Sequence, residues 1–96
     1  METTVEQTIL DQLNQTKVNG FPLLKYIGTK SATMGADTVT IPVGKNPKGI
    51  TSVGVQYMVM YDTYKIYYFK GNSVVNTQSD MYCDDFDSIA RELGVL

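Results

Sequence analysis

The chain has 96 residues, of which 43% are hydrophobic and 19% are charged, and its formal net charge is −2. This length supports one hydrophobic core, which predicts a single domain over residues 1–96. The composition is typical of a globular protein and excludes a disordered or membrane-spanning chain, and the weak negative charge gives no general attraction to nucleic acid or anionic lipid.

The single cysteine, Cys83, excludes an internal disulfide, and a reducing cytoplasm is the compartment that suits such a chain. The first eight residues lack the basic start and the apolar stretch of a signal peptide. No apolar run approaches the ~20 residues that span a bilayer. We therefore expect a cytoplasmic protein with no membrane partner.

The first predicted element is a helix. Thr3 and Glu6 have the spacing of a capping box, in which each side chain reaches the backbone amide of the other residue. An apolar stripe at helical spacing follows, made of Val5, Ile9, Leu10 and Leu13. Asn19 and Gly20 then form a turn signal that ends this segment.

Two edge strands are predicted next. Residues 21–27 are apolar, and because Pro22 has no amide hydrogen for a neighbouring strand, this segment is an edge strand or begins as one. Residues 28–32 are small and polar and predict a loop. Gly35, Ala36 and Asp37 mark a turn before the second strand.

The second strand covers residues 38–43, where Val39, Ile41 and Val43 point inward and alternate with Thr38 and Thr40. Pro42 places this strand at an edge or marks its end. Residues 44–49 are polar and rich in glycine, so we expect a flexible connection there.

Residues 49–69 are dense in Val, Ile, Thr and Tyr and predict a central antiparallel hairpin, interrupted at Asp62 and Thr63. In its first strand Val53, Val55, Tyr57, Val59 and Tyr61 share one face, and Gln56, Met58 and Met60 share the other. In its second strand Tyr64, Ile66 and Tyr68 are expected to pack inward, opposite Lys65, Tyr67 and Phe69.

The remaining chain predicts a turn at residues 70–73, a weak strand over residues 74–78 and a final helix. Asp84 or Asp85 is the expected cap, and Gly94 is the expected C-terminal end. The apolar face of this helix consists of Phe86, Ile89, Ala90 and Leu93. The predicted fold class is α+β: an N-terminal helix, a four- or five-stranded, mainly antiparallel sheet and a C-terminal helix.

The second strand of the hairpin and four further segments carry a family resemblance. The second strand of the hairpin contains residues 62–69, Asp-Thr-Tyr-Lys-Ile-Tyr-Tyr-Phe. Two of the other matching segments precede the hairpin, and two follow it. The matching pieces are residues 24–30, 37–41, 58–69, 80–86 and 93–96. Together they resemble small uncharacterised proteins of bacteriophages and integrated mobile elements, which carry a "DTYDVEFYK" hairpin and a "G-V-Y-A-D-x-L … T-G-L" C-terminal helix.

The chain also departs from this family pattern. The order of Gly28 and Thr29 is reversed, Tyr67 stands where the family has an acid, and no aromatic residue follows Val95. The resemblance implies a small α+β domain of phage or mobile-element origin in a host bacterial cell. It implies no catalytic residue and no cofactor.

The residue types argue against an enzyme. The chain has no histidine, which removes the most common general base and metal ligand at neutral pH, together with Ser-His and Cys-His nucleophile pairs. Cys83 has no second cysteine with which to build a zinc site. We expect Cys83 to be a half-buried residue between the last strand and the last helix, and we expect neither a cofactor nor a metal.

Two further clusters have structural alternatives. The densest acidic cluster contains Asp80, Asp84, Asp85 and Asp87. It lacks the turn glycine and final glutamate of a calcium loop, so helix capping is the favoured interpretation and a metal-dependent enzyme is the alternative. Residues 44–49 contain glycines and lysines without the order of a phosphate-binding loop, which favours a plain hairpin connection.

The tyrosines carry the functional prediction. Five of the seven lie between residues 57 and 68, and tyrosine and methionine are enriched at protein–protein interfaces. The sequence predicts a non-enzymatic accessory protein that binds a host factor, a defence complex or a second copy of itself. The predicted contact residues are Tyr57, Tyr61, Lys65, Tyr67 and Phe69.

Two alternatives stay open at this point. Tyr57, Tyr67 and Phe69 could stack the bases of a single-stranded nucleic acid, although Lys65 and Lys70 are the only cations near them in the sequence. Ordinary packing on both faces of the sheet also accounts for the tyrosines.

Overall fold

The computed structural model describes residues 4–28, 32–35 and 37–95. Helices and strands follow one another in this order: α1 (Val5–Gln15), β1 (Lys17–Val18), β2 (Phe21–Pro22), α2 (Leu23–Tyr26), β3 (Thr33–Gly35), β4 (Thr38–Pro42), β5 (Ser52–Met58), β6 (Thr63–Lys70), β7 (Ser73–Met81) and α3 (Ser88–Glu92). A single 3₁₀ turn, Cys83–Asp85, joins β7 to α3.

Strands β3 to β7 form one five-stranded sheet in which each strand pairs with the next strand of the chain. Every pair is antiparallel. Strands β1 and β2 form a separate two-stranded sheet. The predicted α+β class, with its two terminal helices and antiparallel sheet, is confirmed.

Both terminal helices lie on the same face of the large sheet. Tyr64 of β6 shows this directly, because its hydroxyl donates to Gln12 of α1 and its ring contacts Phe86, just before α3. The sheet side of the core contains Val39, Ile41, Val53, Val55, Ile66 and Tyr68, and the helix side contains Ile9, Leu13, Phe86, Ile89 and Leu93. The alternation predicted for β4 to β6 and the apolar stripe of α1 are confirmed.

The cap of α1 is Thr4, one residue after the predicted Thr3, which lies outside the described residues. The Thr4 hydroxyl accepts a hydrogen bond from the Gln7 amide at 3.1 Å. The Glu6 carboxylate accepts the amide of Asp37 at 3.1 Å and so ties α1 to the turn between β3 and β4. Hydrogen bonds from its own amide and from that of Asp37 lower the pKa of the Glu6 carboxyl.

The segment 21–27, predicted to be an edge strand or to begin as one, is a strand only at Phe21–Pro22 and continues as the helical turn α2. Asn19 and Gly20 both have positive φ, of 52° and 86°, and form a two-residue turn that folds β2 back onto β1. Pro22 then precedes the helical turn α2, and Leu23 at its start is completely buried. Proline suits this position because its fixed φ is compatible with a helix start.

The two edges of the sheet differ from the prediction. No strand is predicted over Thr33–Gly35, yet these three exposed residues form β3 and pair with β4. Strand β4 is therefore an inner strand, and Pro42 stands at its end, the second of the two positions predicted for it. Strand β7 extends to Met81, beyond the predicted end at Gln78, and its pairing with β6 is interrupted twice by register shifts. Short or bulged edges oppose sheet extension by another chain.

The C-terminal helix is shorter than predicted, because the 3₁₀ turn occupies its expected first turn. Neither Asp84 nor Asp85 is the N-cap of α3, which is Asp87, so the predicted cap is wrong. The Asp85 carboxylate instead accepts the amide of Tyr82 at 3.0 Å and caps the 3₁₀ turn. The predicted apolar face is buried, and Gly94, with φ of 76°, ends the helix as expected. The amide of Val95 donates to the Ala90 carbonyl at 3.1 Å, as in a Schellman motif.

Tyr68 is the largest buried polar residue of the sheet, with 1% of its surface exposed, and its hydroxyl donates to Gln78. Burial, together with the negative charge of Glu92, raises the pKa of this hydroxyl. Because the unfolded chain loses the phenolic proton near pH 10 and the folded chain keeps it, Tyr68 contributes stability that falls as pH rises above about 10.

We therefore predict that Tyr68→Phe reduces the slope with which the free energy of unfolding falls above about pH 10, by up to about 1.4 kcal/mol per pH unit. Urea unfolding at several pH values between 8 and 11 measures the effect. Tyr61→Phe, at a tyrosine with 68% of its surface exposed, is the matched control and should keep the wild-type slope. Equal slopes for Tyr68→Phe and the wild type would contradict the prediction.

Candidate functional site

The structure distributes the five predicted contact residues over three places. Lys65, Tyr67 and Phe69 lie on the face of the sheet opposite the helices, which we call the open face. Tyr57 lies on the helix side, and Tyr61 lies in the turn between β5 and β6. The structure thus brings together three of the five and separates the other two from them.

The turn between β5 and β6 carries three consecutive exposed apolar side chains. Val59, Met60 and Tyr61 expose 72%, 87% and 68% of their surfaces, and we call these residues the apolar turn. The sequence assigned them to the two faces of a longer strand, which is wrong because the pair Met58–Thr63 closes the hairpin. The run of strand-favouring residues is interrupted at Asp62, and this interruption is the one feature of the sequence that indicates a turn here.

The apolar turn is held by hydrogen bonds at its base. The amide of Tyr61 donates to the Met58 carbonyl at 3.1 Å, and the Tyr57 hydroxyl donates to the Asp62 carboxylate at 2.6 Å. Asp62 has a positive φ of 52°, a conformation that aspartate tolerates better than most residues. Tyr57 therefore braces the turn, and the hydrogen bond to Asp62 raises the pKa of its hydroxyl.

An aromatic cluster lies behind the turn, on the helix side. The ring of Tyr64 lies 5.6 Å from that of Tyr57 and 5.1 Å from that of Phe86, the second pair edge-on. Desolvation raises the pKa of the Tyr64 hydroxyl, which donates to Gln12. A cleft of about 350 Å³ between α1 and the hairpin is lined by Val5, Thr8, Gln12, Tyr57, Asp62 and Tyr64.

The open face carries a second arrangement of aromatic side chains. The rings of Tyr67 and Phe69 are 6.3 Å apart and inclined by 29°, and the Lys65 ammonium lies 5.2 Å from the Tyr67 ring centre. The Tyr67 hydroxyl donates to Gln56 at 2.7 Å. These three side chains are each half-buried, although the helices pack on the other side of the sheet.

Cys83, Asp85 and Asp87, among the residues singled out for metal or nucleophile chemistry, have structural positions or contacts. Cys83 is half-buried at the start of the 3₁₀ turn, as predicted. Asp87 forms an exposed ion pair with Arg91 at 3.4 Å. Over the described ranges, no three His, Cys, Asp or Glu side chains are grouped so that they could hold a metal ion.

Residues 44–49 connect two strands, β4 and β5, so the helix that follows a phosphate-binding loop is not found after them. The same loop is more ordered than the sequence suggested. Asn46 makes three hydrogen bonds within it, to Gly44 and Ile50, which corrects the expected flexible connection.

Comparison with protein-family models, with curated proteins and with solved structures finds no match to this chain. Among the described residues, none of the helices has the length and apolar character needed to cross a membrane. Function is therefore argued from the geometry of the apolar turn and the cleft between α1 and the hairpin.

Proposed function

We propose that this protein acts by binding another protein and that the apolar turn is its principal contact. The observation that carries the proposal is the run of three large apolar side chains, each more than two-thirds exposed, at one hairpin tip. Single exposed apolar residues are common on protein surfaces, but a contiguous group is typical of a contact site.

The bracing of the turn supports this role. The bond between the Tyr57 hydroxyl and the Asp62 carboxylate holds the base of the turn before any partner arrives. A contact that is ordered beforehand loses less conformational entropy on binding. Met60, the most exposed of the three, is suited to enter an apolar pocket as an anchor.

The charges beside the turn indicate the partner's chemistry. Asp62 adjoins the turn, and Asp37 lies next to it because its carbonyl accepts the amide of Tyr57 at 3.0 Å. Glu6 reaches the amide of Asp37. A partner with an apolar pocket bordered by Lys or Arg side chains would complement this acidic border.

The resemblance of residues 62–69 to phage and mobile-element proteins supports the biological setting that we propose. In that setting the protein is a non-enzymatic accessory protein in the cytoplasm of a host bacterium, and its partner is a host factor or a defence complex. Self-association through the same turn is the other form of this proposal, and it requires no second gene product.

We predict that Met60→Asp weakens partner binding by at least about ten-fold, because it places a charge in the apolar contact. The free energy of unfolding should change by less than about 0.5 kcal/mol, since Met60 is 87% exposed. Quantitative affinity capture from lysate of candidate bacterial hosts, followed by calorimetry with the purified partner, measures the loss. Sedimentation velocity reports self-association in parallel.

Phe21→Asp is the matched control, since Phe21 is apolar, 63% exposed and located in the small sheet. It should capture the same proteins as the wild type. The proposal fails if Met60→Asp retains every captured partner, or if the wild type captures none and sediments as a monomer.

A further inference from the structure

The cleft between α1 and the hairpin, which we call the tyrosine cleft, lies beside the apolar turn. It has a volume of about 350 Å³, and its lining consists of Val5, Thr8, Gln12, Tyr57, Asp62 and Tyr64. We infer that the tyrosine cleft receives one arginine or lysine side chain of the protein that the apolar turn contacts. This role deepens the protein-binding function proposed above and rests on it for the molecule that carries the cation.

Three hydroxyl groups of the described residues line the cleft, and each has already donated its proton. The Thr8 hydroxyl donates to the Thr4 carbonyl at 3.1 Å. The Tyr57 hydroxyl donates to the Asp62 carboxylate at 2.6 Å, and that of Tyr64 donates to a side chain of α1. A hydroxyl whose proton is used in this way offers only its lone pairs to a ligand. The complementary ligand is therefore a hydrogen-bond donor.

The other polar groups of the cleft agree with this polarity. Among its described lining residues, Gln12 supplies the one side-chain donor, because its oxygen accepts the Tyr64 hydroxyl and leaves its nitrogen free to donate. Asp62 supplies the charge, and its exposed carboxylate keeps most of its lone pairs after accepting the Tyr57 hydroxyl. A guanidinium or ammonium group carries several donors and the opposite charge, so it satisfies both features of the cleft.

The rings of Tyr57 and Tyr64 form an aromatic wall. Their centres are 5.6 Å apart and their planes are inclined by 56°, so the two rings meet at an angle. Both residues are half-buried, which leaves part of each ring at the surface of the cleft. A cation against the face of a tyrosine ring is attracted by its electron density, and a guanidinium group can also stack on the ring.

The elements around the cleft carry negative charge. Helix α1 contains Glu6 and Asp11 and has no lysine or arginine. Strand β5 and the turn after it also have no lysine or arginine, and Asp62 is their one charged residue. Fixed charges of one sign raise the local concentration of ions of the opposite sign. This part of the surface therefore attracts cations.

The nearest cations along the sequence belong to other surfaces. Lys65 follows Tyr64 in β6 but lies on the open face, against an aromatic ring of the same strand. Lys17 follows α1 and lines a second cleft together with Asp84. Over the described part of the chain, the Asp62 carboxylate forms no ion pair. A cation from another molecule thus meets no competing charge of this chain in the cleft.

The size of the cleft indicates one side chain. Its volume of about 350 Å³ is near the lower end of the range of ligand pockets, about 300–1,000 Å³. One carboxylate is fewer than the several oxygen ligands that a divalent metal ion takes, which favours an organic cation. Val5 and the two rings provide apolar surface for the aliphatic stem of an arginine or lysine.

Nuclear magnetic resonance titration of the wild type with N-acetyl-arginine amide and with N-acetyl-lysine amide tests the inference. We expect saturable shifts of the Thr8, Gln12 and Asp62 amides at about 20 mM salt, with a Kd in the millimolar range that rises at about 200 mM salt. The tighter of the two amides identifies the preferred side chain. The neutral N-acetyl-norleucine amide should leave these signals unmoved. The absence of shifts with both cations, or equal shifts with norleucine, overturns the inference.

Asp62→Asn should weaken binding of the cationic amide by at least about ten-fold. Asparagine keeps an oxygen for the Tyr57 hydroxyl and tolerates the positive φ of 52°, but it carries no charge. Asp80→Asn is the matched control, because Asp80 is also exposed, has a positive φ of 56° and lies outside the lining of the cleft. It should bind as the wild type does. Equal affinity of Asp62→Asn and the wild type overturns the inference.

Calorimetry with the purified partner separates this inference from the proposed function. We expect Asp62→Asn to weaken partner binding by about ten-fold and Asp80→Asn to leave it unchanged. Loss of the partner in Met60→Asp together with full binding in Asp62→Asn would overturn the inference and leave the proposed function standing. Full binding in Met60→Asp would contradict the proposed function, and the titration with the arginine and lysine amides would still decide whether the cleft holds a cation.

Discussion

Replacing Phe86 with alanine is expected to lower the free energy of unfolding by about 4 kcal/mol. Phe86 is completely buried, and its ring packs edge-on against that of Tyr64 at 5.1 Å. The change removes apolar contacts, opens a cavity and ends an aromatic pair that helps to hold the C-terminal segment on β6. A domain of this size has a total stability of about 5–14 kcal/mol, so the change removes between about a third and about four-fifths of it.

Urea unfolding followed by circular dichroism measures this effect. Phe21→Ala is the control of the same chemistry, because Phe21 is 63% exposed, and it should cost less than about 1 kcal/mol. Phe86→Leu should fall between the two, since it retains most of the buried apolar volume. Similar losses for Phe86→Ala and Phe21→Ala would contradict the packing described here.

Replacing Asn46 with alanine is expected to cost about 2–3 kcal/mol, although the residue lies in a loop. Its side-chain amide donates to the carbonyls of Gly44 and Ile50 at 2.9 and 2.8 Å, and its oxygen accepts the Ile50 amide at 3.0 Å. Ile50 is only 7% exposed, so alanine would leave backbone groups near the core without partners.

Urea unfolding gives the loss for Asn46→Ala, and hydrogen exchange of the Ile50 amide gives its local origin. The exposed Asn72, in the turn after β6, provides the matched variant Asn72→Ala, which should stay within about 0.5 kcal/mol of the wild type. Asn46→Asp should not restore stability, because a carboxylate cannot donate to the two carbonyls. Unchanged protection of the Ile50 amide in Asn46→Ala would show that the loop does not depend on this side chain.

The periodicity of apolar residues predicted the helices and strands that bury one face in the core. The stripe containing Ile9 and Leu13 and the alternation of Val53 with Val55 were both confirmed as buried faces. Such patterns are visible in the sequence because burial repeats with the geometry of the helix or strand itself. The positive φ of Gly94 was predictable for a different, local reason, since glycine is the residue that takes this conformation most readily.

The missed elements depend on backbone pairing with a neighbouring strand and not on apolar periodicity. Strand β3 is exposed throughout and exists through its pairing with β4, so no apolar alternation marks it. Much of β7 is likewise polar and depends on β6 for its backbone hydrogen bonds. Residues 23–26 form helix α2 and not the expected continuation of a strand. The Asn19–Gly20 turn pairs Pro22 with Lys17, which ends β2 at Pro22, and the helix begins at the next residue.

The candidate site divides in the same way. The sequence by itself determined that Lys65, Tyr67 and Phe69 share one face, because a strand alternates its side chains whatever surrounds it. Only the tertiary structure decided that Tyr57 braces a turn and that Val59, Met60 and Tyr61 are exposed together. The closure of the hairpin at Met58 and Thr63 and the placement of both helices on one face set these outcomes. The helix placement depends on contacts between residues far apart in the chain, those of Tyr64 with Gln12 and with Phe86.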